Sequence, residues 1–402
     1  MKEISKGICA APGFTAGAIH SGVRANQTKE DLAIIYSDVP CVAAGVYTTN
    51  KVKAAPLKLT KSHLENGVAQ AVIVNSGNAN ACAPHGMENA LIQAQAAATK
   101  LGIDVEDVIV ASTGVIGQDL PIDKIVEGTK KIVLTEDGSA TAKAIMTTDT
   151  KVKEAAIEFE LGGKLCHMGG IAKGSGMIHP NMGTMLCFIT TDANIARGPL
   201  QTSLKANTKI TFNHVSVDGD TSTNDMCVVL SNGKAGNAAI ETTDSAEYAQ
   251  FNEALHYIME KLAKMIASDG EGATRLLTVK VLGASTESQA ETLAMSVVSS
   301  SLFKAAIFGA DANWGRVLCA LGYADTDFDP DTVDISFVSK AGTIPVCAAG
   351  KGLDFDEDLA KKILSQPEVE TIVNLHEGGF SATCWGCDLT YDYVRINGDY
   401  RS

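Results

Sequence analysis

The stretch Lys173-Gly174-Ser175-Gly176-Met177-Ile178-His179-Pro180-Asn181-Met182-Gly183-Thr184-Met185-Leu186 holds the residue types best suited to chemistry. It reads as a glycine-broken loop that ends on a small residue and a threonine, with an apolar run, Met185 to Thr191, directly after it. A threonine in mid-chain is a weak nucleophile, and most often it only starts a strand. A threonine that becomes a chain N-terminus is different, because its freed α-amine sits beside its own hydroxyl and acts as its base. Such an amine has an ordinary pKa of about 7.7–8.0, which suits proton transfer near neutrality. Gly183–Thr184 is therefore the candidate for a bond cut by the chain itself. The Thr184 hydroxyl would attack the Gly183 carbonyl, take the acyl group onto oxygen and lose it to water.

Acyl transfer also needs donors aimed at a developing oxyanion. Thr113-Gly114 offers a hydroxyl and a glycine N–H at a strand-to-loop turn, although Ser-Thr-Gly is ordinary turn chemistry too. Lys173, eleven positions before Thr184 (184 − 173), reads as a solvated charge unless its loop folds over a site. Glu271 sits between glycines in Asp269-Gly270-Glu271-Gly272, on backbone that permits close approach by a ligand. Other motifs weigh less. Asn75-Ser76-Gly77-Asn78-Ala79-Asn80 follows a strand and could line a site. Asn213-His214 with Asp218-Gly219-Asp220 only hints at a Ser/His/Asp hydrolase. Ser231-Asn232-Gly233-Lys234 matches Ser-x-x-Lys without the companion Lys-Thr-Gly. No phosphate-binding or dinucleotide fingerprint follows a strand, and His179 reads as structural.

These groups need elements to position them. Ala71 to Val74 reads as a buried strand running into a turn at Asn75-Ser76-Gly77-Asn78, and Met87 to Leu101 as an alanine-rich helix. Val105 to Ala111 is a strand ending in the Ser112-Thr113-Gly114 turn. Pro121 opens a helix over Ile122 to Ile132. Ala155 to Leu161 alternates as a half-buried strand, and Met185 to Thr190 is an apolar one. Ala246 to Ala267 carries Phe251, Leu255, Ile258, Leu262 and Ile266 at helical spacing. Leu276 to Leu282 predicts a strand and Thr286 to Ala306 one helix. A smaller unit follows, with strands near Val333–Val338 and Thr371–Leu375 and a terminal strand from Asp388 to Ile396. The mixture gives an α+β or mixed α/β class.

At 402 residues the chain can bury more than one core, and 45% apolar with 20% charged residues fits a globular protein. A net charge of −14 argues against nucleic-acid and membrane partners, which want basic patches. The ten cysteines lie mostly in apolar contexts and read as reduced small hydrophobes. Cys384 and Cys387 form the one close pair, and with His376 the sole nearby histidine no metal site is expected. Met1 to Gly7 is too short in apolar length for a signal peptide, and no apolar run nears the ~20 residues of a membrane span. A cytoplasmic location is expected.

The chain resembles the glutamate N-acetyltransferase family, also called ornithine acetyltransferase, whose members include bifunctional proteins of arginine biosynthesis. The likeness is carried by the loop above and by Ser112-Thr113-Gly114-Val115-Ile116-Gly117 and Met146-Thr147-Thr148-Asp149. It extends to Asp269-Gly270-Glu271-Gly272-Ala273-Thr274-Arg275 and the tail Tyr393-Val394-Arg395-Ile396-Asn397-Gly398-Asp399-Tyr400-Arg401-Ser402. One departure is Gly183, where the family more often has alanine; glycine reaches strained backbone conformations easily and leaves the chemistry intact.

The resemblance implies a layered α-β-β-α sandwich body and a smaller C-terminal α+β domain, self-cleaved into two chains. The alpha fragment would be 1–183 and the beta fragment 184–402. Of the latter, 184–275 would complete the body, and 276–402 would form the C-terminal domain, its tail returning to the site. It also implies Thr184 as nucleophile, Thr113 and Gly114 as oxyanion hole, and Gly183 as the cleavage position. Thr147, Lys173, Thr184, Glu271, Asn397 and Ser402 would bind substrate, Lys173 through its α-carboxylate. Thr148 stays a rival to Thr147, and Glu271 would pair with either the Thr184 ammonium or the side-chain amine of ornithine. The implied reaction moves an acetyl group from N2-acetylornithine to glutamate through acetyl-Thr184, with no cofactor or metal and with acetyl-CoA left open as a second donor. The implied assembly is a heterotetramer of two alpha and two beta chains. Two rivals remain: an N-terminal-nucleophile aminopeptidase or amidase of related fold, with water as acceptor, and a non-catalytic binding protein for small amino acids.

Overall fold

Strand-forming residues concentrate in two sheets of a computed structural model that describes residues 1–24, 29–179 and 185–399. The Gly183–Thr184 bond and Ser402 therefore lie outside the described residues. The larger sheet runs in the order Lys2–Glu3, Lys153–Leu161, Lys164–Lys173, Leu186–Thr191, Met226–Ser231, Leu32–Tyr47, Val68–Asn78, Val108–Val115, with Phe14–Ile19 added on Leu32–Tyr47. Most neighbours are antiparallel, but Val68–Asn78 pairs parallel with Val108–Val115, and Leu186–Thr191 pairs parallel with Met226–Ser231. Parallel neighbours need a crossover. Helices Gly86–Leu101 and Arg197–Ile210 lie in those two connections. The fold is mixed α/β.

Helix Ala246–Ser268 starts where the Ser245 hydroxyl accepts the Tyr248 N–H at 3.0 Å, an N-cap in the expected place. Its predicted stripe, Phe251, Leu255, Ile258, Leu262 and Ile266, is fully buried in one core with Ile157, Phe159, Met168 and Ile189 of the large sheet. The alternation expected over Ala155–Leu161 holds in the strand Lys153–Leu161, and the helices expected at 87–101 and 122–132 appear as Gly86–Leu101 and Ile122–Lys131.

The second sheet runs Lys351–Gly352, Gly342–Ala348, Asp334–Ser339, Glu368–Asn374, Leu276–Ala284, Phe380–Cys387, Val215–Ser216. Its core joins Leu277, Val279 and Val281 to Leu293 and Val297 of helix Glu287–Ser299. Its edge strand Val215–Ser216 comes from well before residue 276.

Five local expectations fail. The turns expected at Asn75–Asn78 and Ser112–Gly114 are instead the last residues of strands that pair to Asn78 and Val115. Residues 105–107, expected as strand, form a 3-10 turn before Val108. The single helix expected over Thr286–Ala306 is two, Glu287–Ser299 and Ser301–Phe308, bent by 57°. Ser300 breaks it, because its hydroxyl caps the second helix by accepting the Phe303 N–H at 3.3 Å. Finally, the terminal strand expected over Asp388–Ile396 is a helix, Tyr391–Asp399. Tyr393, Val394 and Ile396 favour strands, yet they do not pair into either sheet. Asp388 instead anchors the turn before the helix by accepting the N–H groups of Thr274 and Arg275 at 2.8 and 3.0 Å.

Candidate active site

The ends of the paired strands Val68–Asn78 and Val108–Val115 form one wall of a cavity of about 130 Å³. Thr113 and Gly114 stand opposite Ser76 and Gly77. Gly114 has φ +134°, and a Cβ there would collide with the backbone of Gly77 and Asn78, so only glycine lets the two strand ends close up. Beneath them lies a buried polar net. Asn75 Oδ1 accepts the Ser112 hydroxyl at 2.6 Å, and its amide donates to the Asn78 carbonyl at 2.9 Å. Asn224 completes it, donating to the carbonyls of Ala79 at 2.7 Å and Ser112 at 2.8 Å.

The opposite wall carries charge. Lys173, at the end of strand Lys164–Lys173, reaches the cavity while only 2% exposed. Burial pushes its ammonium pKa down, against the opposing charges of Asp149, Asp225 and Glu271. Asp149 would rise with its own burial, but Lys173, Lys153 and the Gly174 N–H hold its carboxyl well below the usual range. Glu271 N–H donates to the Ser175 carbonyl at 2.9 Å, and the Glu271 carboxylate packs on Gly176, where any Cβ would strike it. The C-terminal helix closes this side. Asn397 donates to Glu271 Oε2 at 2.7 Å, and the Thr390 hydroxyl donates to the Gly272 carbonyl at 2.7 Å.

One cavity thus gathers Thr113, Gly114, Thr147, Thr148, Lys173, Glu271 and Asn397. Both Thr147 and Thr148 line it, so neither displaces the other. Lys173, which by residue type alone reads as solvated, is buried instead. Thr184, Gly183 and Ser402 fall outside the described residues. The chain does resume at the site, however: Met185 N–H donates to Asp225 Oδ1 at 2.9 Å, next to the lining residue Asn224. Asp225 is fully buried, and burial raises its carboxyl well above the ordinary value.

The lining residues Ser222, Thr223 and Asn224 were missed by sequence reasoning. The available signal was the polar run Asp218–Asp225 immediately before an apolar strand. The hydrolase hint in that run does not hold. Asp218 accepts the N–H groups of Met177 and Ile178 at 2.6 and 2.9 Å, while His214 Nδ1 lies 2.9 Å from the Thr383 carbonyl. His179 Nδ1 is 3.1 Å from the Ser216 hydroxyl, and burial lowers its pKa. Among the described residues no cluster of three His, Cys, Asp or Glu could hold a metal, and no single helix is long and apolar enough to cross a membrane.

A mixed α/β fold with a small cavity that presents hydroxyls, a glycine N–H, a buried lysine and a carboxylate is built for group transfer on a small charged molecule. The comparisons with known proteins make the class specific. The ArgJ family model matches residues 15–402, and the chain belongs to that family. It is 52% identical over 99% of its length, and 98% of the relative's, to arginine biosynthesis bifunctional protein ArgJ 1 of Clostridium acetobutylicum. It is 50% identical over the whole of both chains to arginine biosynthesis bifunctional protein ArgJ of Symbiobacterium thermophilum. The crystal structure of arginine biosynthesis bifunctional protein argJ from Bacillus halodurans superposes with a TM-score of 0.50 at 47% identity, covering 52% of this chain and 97% of that one. The protein is a glutamate N-acetyltransferase of arginine biosynthesis.

Proposed function

We propose that the chain cuts itself between Gly183 and Thr184, and that Thr184 then carries the acetyl group from N2-acetylornithine to glutamate in the cytoplasm. The observation that carries this reading is one cavity lined from both sides of that bond: Thr113, Gly114, Thr147 and Lys173 precede it, Glu271 and Asn397 follow it. In turnover the Thr184 hydroxyl attacks the acetyl carbonyl while its proton passes to the α-amine. The Thr113 hydroxyl and Gly114 N–H steady the oxyanion. The C–N bond breaks, the amine returns the proton to the leaving nitrogen, and ornithine departs. Glutamate's amine then attacks the acetyl ester and Thr184 Oγ recovers a proton. Lys173 holds the α-carboxylate of each substrate, Glu271 an ammonium group, and Thr147, Asn397 and Ser402 complete the binding site. The acyl carrier is Thr184, so the scheme needs no metal or bound organic cofactor.

The half-length match supports cutting. The Bacillus halodurans chain is matched over 97% of its own length yet spans 52% of this one, as one fragment of a cut protein would. We infer further that two alpha (1–183) and two beta (184–402) fragments assemble as a heterotetramer with the layered α-β-β-α body. Acetyl-CoA serves as a second donor in this reading, in keeping with the word bifunctional in the relatives' names.

An intact mass spectrum beside Thr184→Ala tests it. Fragments of 183 and 219 residues (402 − 183) are expected in the parent and absent in the variant. A single uncut parent mass overturns the mechanism. Ornithine release that proceeds equally without glutamate would favour an amidase instead.

A further inference from the structure

Three segments that line the cavity are tied together beneath it by an ion cluster to which the acetyl-transfer scheme gives no role. Asp149 Oδ1 accepts from Lys153 Nζ at 2.6 Å and from the Gly174 N–H at 2.7 Å, while its Oδ2 accepts the Thr147 N–H at 2.9 Å. Lys153 donates onward to Asp269 Oδ2 at 2.6 Å. The Asp269 carboxylate also takes the N–H groups of Thr150 and Lys151 at 3.0 and 3.1 Å. Its carbonyl accepts the Ser175 hydroxyl at 2.9 Å, and the Ser175 carbonyl accepts the Glu271 N–H at 2.9 Å. The side chains of Lys153, Asp149 and Asp269 are 1%, 0% and 3% exposed. Three links of this chain end on residues in or beside the cavity wall: Thr147, Lys173 through Gly174, and Glu271.

A buried ion triad is weak as a stabiliser, since well-packed apolar residues of similar volume often serve as well or better. What apolar residues could not supply is a fixed charge beside Lys173. The charged groups acting on that ammonium are Asp149, Lys153, Asp225 and Glu271, and Asp149 is the strongest influence opposing its desolvation. Asp149 also binds the amide of the very next residue, so its position and that of the lysine are set together.

We propose that Asp149, clamped by Lys153 and Asp269, is the positioning residue of Lys173: it fixes the Lys173–Gly174 step against Thr147 and keeps the buried ammonium charged for a substrate carboxylate. The proposal rests on the carboxylate role of Lys173 put forward above. Asp149→Asn removes the charge with little change of shape.

The test is KM and kcat for acetyl transfer from N2-acetylornithine to glutamate across mildly acidic to mildly alkaline pH, for the parent, Asp149→Asn and Lys173→Met. Asp149→Asn is expected to raise KM about tenfold, the scale of one charge-assisted hydrogen bond. The pH above which KM climbs should also move down, because a lysine without its counter-charge loses its proton earlier. A raised KM for Lys173→Met, with parental KM and an unmoved alkaline limb for Asp149→Asn, overturns the proposal and leaves the role of Lys173 standing. Unchanged KM for Lys173→Met overturns both. Where Asp149→Asn fails to fold, Asp149→Glu takes its place, keeping the charge but displacing it by one methylene. It is expected to raise KM without moving the alkaline limb, and a parental KM overturns the proposal.

Discussion

The two sheets bury different things. Around the second, the residues removed from water are almost all apolar, Leu277, Val279, Val281, Leu293, Val297, Val317 and Phe337 among them, while an ion pair such as Lys280–Glu370 at 2.9 Å stays partly exposed. Among the described residues of that region the buried lysine is Lys304, which donates to the Val217 carbonyl beside the sheet's edge strand. Around the cavity of the first sheet lie Asp149, Lys153, Lys173, Asp225 and Asp269, each at most 4% exposed. Burying charge is expensive unless it is paired and hydrogen-bonded. The molecule concentrates that expense around the cavity, with Asp31, Asp192, Asp388 and Lys304 buried singly elsewhere, and builds most of its second core without it. The same loss of stability should therefore have different consequences in the two regions.

The largest effect is expected at the proposed nucleophile. Thr184→Ala should abolish cutting and lower acetyl transfer by at least about 10⁴-fold, the scale seen when a nucleophile is removed. Intact mass and a coupled assay read both. Next come two substitutions matched in stability but not in function. Lys153→Met leaves Asp149 and Asp269 buried without their shared cation and should cost about 3–5 kcal/mol. Leu293→Ala in the second core should cost about 2–5 kcal/mol by opening a cavity. Urea unfolding should rank them together. Substrate KM should rise for Lys153→Met alone, and an equal rise in both would erase the distinction between the regions. Thr113→Val, which removes a hydroxyl from the strand end, should lower kcat about 10²–10³-fold with little change in KM.

How much of this could be read from residues alone differs between the same two regions. The long stripe Phe251–Ile266 identified helix Ala246–Ser268 almost to the residue, because a period of 3.6 sustained over about four turns has no competing reading. The tail was misread because Tyr393, Val394 and Ile396 suit a strand, and only the Asp388 anchor turns that segment into a helix. Ser300 was misread because a serine inside an apolar pattern is equally a tolerated helix residue and a cap. At the site, Thr113, Gly114, Lys173 and Glu271 each had an ordinary reading as turn or solvated charge, and resemblance singled them out. The burial of Lys173 depends on Asp149, Asp225 and Glu271, residues 24, 52 and 98 positions away (173 − 149, 225 − 173, 271 − 173). No local pattern encodes that. Asn224, which bridges the ends of two strands from the other half of the chain, left only a polar run as its trace.

The smallest expected effect separates two buried carboxylates within the site itself. Asp149 is held below its ordinary pKa, so its contribution to stability is present above about pH 3.9, the unfolded value. That contribution is lost as pH falls through the folded one. Asp225 is raised by burial, so the sign reverses: its contribution is complete below about pH 3.9 and is lost as pH rises through its folded pKa. Its Oδ1 takes the Met185 N–H, whereas its Oδ2 has no hydrogen-bond partner among the described residues. Asp225→Asn keeps an oxygen for Met185 and has no proton to lose. The variant should therefore match the parent in acid and gain on it as pH rises toward neutrality, read as the difference in urea midpoint against pH. A variant that instead falls behind the parent at neutral pH would mean that Asp225 is ionised and held by Lys173. Asp149 and Asp225 would then share one lysine, and the charge beside the cavity would be set by both.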